Sequence, residues 1–78
     1  MTTIRDRLEK IDEDLLRLLG DRVSLCEEAQ EDDPEFMGPE SLGDMLAQWD
    51  AAADEHGWNP ALTARLCKGV YELCKAAE

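Results

Sequence analysis

Arg22 stands where the sequence calls for an apolar residue. Ile4, Leu8, Ile11, Leu15 and Leu18, then Leu25 and Ala29, recur at steps of three and four, the spacing of one helical face. Arg22 falls in the gap of that series, so its guanidinium is expected to face inward. A buried guanidinium without an anion costs several kcal/mol. It must therefore meet an anionic ligand, pair with an internal carboxylate, or reach water along its own stem. Only the first makes it a functional residue, one that waits for an anionic ligand inside the bundle. The three cysteines, Cys26, Cys67 and Cys74, are odd in number and form no CxxC pair. Neither a disulfide framework nor a zinc knuckle is signalled, and reduced, buried thiols are the plainer expectation. Glu27, Glu28, Glu31, Asp32 and Asp33 are rich in oxygen, as magnesium and calcium sites are. Their spacing fits no known loop, so they read as a solvated helix end, and no metal is expected. His56 precedes a glycine at a helix end, where a basic group complements the dipole.

Three helices would carry these residues. The first starts at a Thr2 or Thr3 cap, with Asp6 and Glu9 at the positive end of its dipole, and Pro34 stops it at or before Asp33. The second is predicted from about Pro39 to His56, with Leu42, Met45, Leu46, Trp49 and Ala53 at helical spacing and Gly57 as a left-handed cap. Asn59-Pro60 then signals a third start, a cap followed by proline at the first helical position. Leu62, Leu66, Cys67, Val70, Tyr71, Leu73, Cys74 and Ala77 give that helix a broad apolar face. Trp49 and Trp58 read as core or interface anchors, and Phe36 and Met37 as packing over the end of the bundle. No segment alternates with period two, so residues 1–78 are expected to form one all-α domain.

Length bears on assembly. A first helix of about 27 residues spans about 40 Å, whereas a compact chain of this size has a radius of gyration of about 11 to 12 Å. Its seam is apolar almost throughout, so the overhang calls for a second copy in an antiparallel, two-fold homodimer. With 19 acidic and 8 basic residues the net charge is −11. Such a chain is repelled by nucleic acid and by anionic membrane surfaces. Eleven of the carboxylates lie between Val23 and Ala64, a stretch without Lys or Arg. The opening MTTIRDRLEKIDE lacks the apolar run of a signal peptide, no stretch approaches a membrane span, and a cytoplasmic location is expected.

The run Ile4-Arg5-Asp6-Arg7-Leu8-Glu9-Lys10-Ile11-Asp12-Glu13-Asp14-Leu15-Leu16-Arg17-Leu18-Leu19-Gly20-Asp21-Arg22 resembles the opening helix of the all-helical chorismate mutases. The resemblance implies a three-helix protomer with a long first helix, entwined with a twin, which rearranges chorismate to prephenate without a cofactor. It implies that Arg5 reaches the partner's site and that Arg22 binds a substrate carboxylate in its own. Cys74 and Glu78 fall where the family places a small polar residue and a glutamine facing the ether oxygen. A glutamate serves there only when protonated. Two positions depart from the pattern. Asp33 stands where a lysine is expected, and the segment around Ser41 offers carboxylates where an arginine is expected. Each lost cation of this kind costs a hundred- to a thousandfold in rate.

Three functions follow as expectations. The first is a mutase-like scaffold with an incomplete site, serving as a binding or regulatory module or acting on a different small carboxylate. In the second, a working mutase recruits its missing cation from Arg65, Lys68 or Lys75. The third is an interaction module whose acidic face meets a basic protein.

Overall fold

The computed structural model describes residues 2–75, which form three helices joined by two short connections and contain no strand. Helix α1 runs Ile4–Asp32, α2 Pro39–His56 and α3 Pro60–Lys75. Each boundary has a local cause. Thr3 caps α1 by accepting from the Asp6 amide at 3.1 Å, while the Asp6 carboxylate accepts from the Thr3 amide at 3.2 Å, a reciprocal box that satisfies two free donors. At the other end the Asp33 amide closes on the Ala29 carbonyl at 2.9 Å, and Pro34 prevents a further turn. Gly57 terminates α2 at φ 71°, a left-handed conformation that costs glycine nothing sterically. Asn59 opens α3 by accepting from the Leu62 amide at 3.1 Å.

Helix α3 packs against both α2 and α1. The core comprises Cys26, Met37, Met45, Cys67, Tyr71 and Cys74, with Val23, Leu42, Leu46, Trp49 and Val70 partly buried against it. Sulfur therefore fills most of the centre, where polarizable and unbranched side chains adapt to an irregular space. The loop from 33 to 38 is drawn onto the core by Met37. Its carbonyl accepts from the buried Tyr71 hydroxyl, while Phe36 remains exposed. Tyr71→Phe would leave that carbonyl unpaired, at an expected cost of about 1 to 3 kcal/mol. Urea unfolding should show a lower midpoint at an unchanged m-value.

Every buried residue of α1 lies at Cys26. Ahead of it, Ile4, Leu8, Ile11, Leu15, Leu16 and Leu18 are all more than half exposed. The helix is about 43 Å long at 1.5 Å per residue, and the molecule measures 48 × 27 × 15 Å. Its radius of gyration is 14.7 Å, against about 11 to 12 Å for a compact chain of this length. The first half of α1 projects past the other two helices with its apolar seam bare. The seam continues across α3 through Leu62, Leu66 and Leu73, which are also exposed.

Candidate functional site

Helix α1 places Arg22 and Cys26 four residues apart on one face, turned toward α2 and α3. The Arg22 guanidinium is half-buried and meets sulfur on all three helices. Its Nη1 lies 3.6 Å from the Cys26 Sγ and 2.9 Å from the Cys74 Sγ, and its Nη2 lies 3.4 Å from the Met45 Sδ. Sulfur is a weak acceptor. Among the described residues the ion pairs are Lys10 with Asp14 at 3.2 Å and Arg17 with Asp14 at 3.5 Å, both on the exposed side of α1. The charge of Arg22 thus enters the bundle with no carboxylate beside it among those residues.

The guanidinium opens on a cavity of about 260 Å³ between α1, the loop and the start of α2, lined by Arg22, Leu25, Cys26, Phe36, Met37, Ser41 and Met45. Its surface is one cation, one hydroxyl and one thiol on otherwise apolar walls. Phe36, Met37 and Ser41 separate it from a larger cavity of about 840 Å³, which Asp33, Glu35, Glu40 and Asp44 make acidic. Arg22 also ends an apolar groove of about 350 Å³ bounded by Leu15, Leu16, Leu18, Leu19, Trp49, Leu66 and Val70.

Of the residues singled out from the sequence, Arg22, Cys74 and Ser41 come together here. Asp33 does not line the Arg22 cavity. It caps α1, accepts from the Glu35 amide at 3.1 Å, and faces the acidic cavity next door. Arg5 is exposed in the first turns of α1, about 25 Å from Arg22 along the helix at 1.5 Å per residue. The two arginines of one chain cannot hold the same small molecule. Glu78 lies outside the described residues. Arg65 and Lys68 are exposed, and the Lys75 ammonium stands 5.8 Å from the centre of the Tyr71 ring, on the rim of the acidic cavity. The second helix ends in a stack of His56 on Trp58, their ring centres 4.6 Å apart. Trp58 is exposed, whereas Trp49 packs against the core.

Two features had little signal in the sequence. Gln30 donates from one nitrogen to both the Cys26 carbonyl at 3.0 Å and the Cys74 carbonyl at 3.2 Å, which clamps α1 to α3 beside the guanidinium. Met45 and Cys26 read as ordinary apolar positions, and only the assembled fold makes them acceptors for Arg22. Burial pushes the Cys26 thiol above its usual range, the adjoining Cys74 thiol adds to this, and Arg22 pulls the other way. Burial likewise raises Cys67, against the opposing charges of Arg22 and Lys68.

Among the described residues no helix is long and apolar enough to cross a membrane. No protein-family model, curated protein or solved structure matches the chain.

Proposed function

We propose that this chain is a chorismate-mutase-like helical module that binds a small monocarboxylate on Arg22, works as a homodimer, and has little or no mutase activity. One observation carries the reading: among the described residues a half-buried guanidinium hydrogen-bonds only to sulfur, and it opens on a cavity. An anion entering there would supply the missing counter-charge, and a planar carboxylate matches the fork of an arginine. The Ser41 hydroxyl would fix its orientation, while Leu25, Phe36 and Met37 would take an aromatic or branched aliphatic body.

The surroundings favour one negative charge over two. A second carboxylate reaching past Phe36 would approach Asp33, Glu35, Glu40 and Asp44, and like charges at close range repel by several kcal/mol where water is partly excluded. A dianion such as chorismate would need cations at those positions. Arg5 of the same chain is too far along α1 to help.

The test is calorimetric titration with benzoate, chorismate and prephenate, alongside the loss of chorismate absorbance with purified protein. Benzoate binding with negligible chorismate turnover is expected. Turnover at ordinary enzymatic rates, or no binding of any carboxylate, would overturn the proposal. A charge reversal gives an internal check. Asp33→Lys should strengthen prephenate binding about tenfold and change benzoate affinity by less than about twofold, because only the dianion reaches the acidic side.

A further inference from the structure

Three cysteines are free among the described residues, and two of them are arranged as a pair. The backbones of Cys26 and Cys74 are held face to face, since one Gln30 nitrogen bonds both of their carbonyls at 3.0 and 3.2 Å. Their side chains converge as well, because both sulfurs lie within 3.6 Å of a single nitrogen of Arg22. A disulfide requires neighbouring backbones and side chains that point at each other. The shared Gln30 and Arg22 nitrogens bring the two backbones and the two side chains of this pair toward each other between α1 and α3. Cys67 is also fully buried, but it shares neither the Gln30 clamp nor the Arg22 contact.

We infer that Cys26 and Cys74 form a reversible redox pair, closing a disulfide between α1 and α3 when the protein meets a hydroperoxide. Cys26 lines the Arg22 cavity, which gives a molecule the size of hydrogen peroxide a path to this residue. The Cys26 thiol attacks one peroxide oxygen, the O–O bond breaks, and the products are a sulfenic acid and one water. The Cys74 sulfur then attacks the Cys26 sulfur, the S–O bond breaks, and the departing hydroxide takes the Cys74 proton as a second water. Two electrons leave the sulfur pair and reduce one peroxide. Arg22 stands against both sulfurs, where its charge opposes the burial that raises the Cys26 thiol and favours the negative charge that builds on sulfur as a proton leaves. A dithiol reductant returns the pair to two thiols by exchange. None of this depends on a carboxylate binding at Arg22.

Trypsin separates the three cysteines, because cleavage after Arg22, Arg65, Lys68 and Lys75 places each in its own peptide. Reduced protein, freed of reductant and treated with hydrogen peroxide, should lose about 2 Da in intact mass and retain one alkylatable thiol. A non-reducing digest should join residues 23–65 to residues 69–75, leaving 66–68 free, and dithiothreitol should reverse the change. Oxidised protein should melt about 10 °C or more higher, since the bridge closes a long loop of the unfolded chain. Cys26→Ser should abolish the joined peptide. A bridge to Cys67, a crosslink between chains, gain of oxygen without a bridge, three free thiols under conditions that oxidise glutathione, or a lower melting temperature would each overturn the proposal. The wild-type digest decides the matter even if the serine variant does not fold.

Discussion

Ile11→Glu combined with Leu15→Glu is expected to turn a two-chain particle into single chains that are largely unfolded at micromolar concentration. In the isolated chain Ile11 is 53% and Leu15 58% exposed. Exposed apolar-to-polar changes on a helix ordinarily move stability by about 0.5 kcal/mol or less, and glutamate is a good helix former. If one chain were the working unit, the double variant would fold almost as well as the parent. If the seam is covered by a twin, each pair of chains takes four carboxylates into an apolar contact, at several kcal/mol each. The two cases differ by more than a thousandfold in association, so the result is not a matter of degree.

The bare seam supports pairing on energetic grounds too. Burying the remaining half of a leucine or isoleucine contributes about 1 kcal/mol. Ile4, Leu8, Ile11, Leu15, Leu16, Leu18, Leu62 and Leu66 on each chain are enough to offset the roughly 4 to 15 kcal/mol that association costs. Sedimentation equilibrium should give about twice 8.8 kDa for the parent and a melting temperature that rises with concentration. A parent that sediments as one chain, or a variant as stable and as massive as the parent, would remove the dimer from the proposal. Glu13→Ala, at a solvent-exposed polar position of the same helix, should change neither.

The second large effect is at Arg22, and it has opposite signs in function and stability. Arg22→Met should abolish benzoate binding, with at least a hundredfold loss in affinity, and should raise the melting temperature by several degrees. The loss follows from removing the one cation of the cavity, since charge-assisted contacts to a carboxylate are about twice as strong as neutral ones. The gain follows because a half-buried charge without a carboxylate among the described residues is exchanged for a thioether that suits a sulfur-lined space. A residue kept only for structure would behave otherwise. Replacing the partner of a true internal ion pair destabilises by about 3 to 5 kcal/mol. Thermal unfolding and calorimetry on the same preparation read both signs. A marked fall in melting temperature would mean that Arg22 serves the fold and not a ligand.

Much of the architecture is legible along the chain because its punctuation is local. Thr3, Pro34, Gly57 and Asn59-Pro60 each act within four residues, and the helices begin and end where these residues require. Arg22 is legible for a different reason, as a polar break in an otherwise regular seam. Of its acceptors only Cys74 is marked, by the resemblance; Cys26 and Met45 read as ordinary apolar positions, and the three meet only when α3 docks on both other helices. Asp33 shows the limit of carrying a position over from a resemblance. Counting residues places it at the site, whereas the end of α1 turns it into the adjoining acidic cavity. The lock between Tyr71 and Met37 joins residues 34 positions apart, and no periodicity along the sequence reveals it.

On the function proposed, the guanidinium of Arg22 is held ready for an anion. Nitrogen-15 NMR of the arginine side chains, recorded during a titration with benzoate, observes that group directly. The expected result is one guanidinium resonance, assigned by its loss in Arg22→Met, that shifts on saturation and whose rotation slows as two parallel hydrogen bonds form. An Arg22 resonance unmoved by any small carboxylate, or already slowed and salt-insensitive before ligand is added, would mean that the guanidinium does not await an anion.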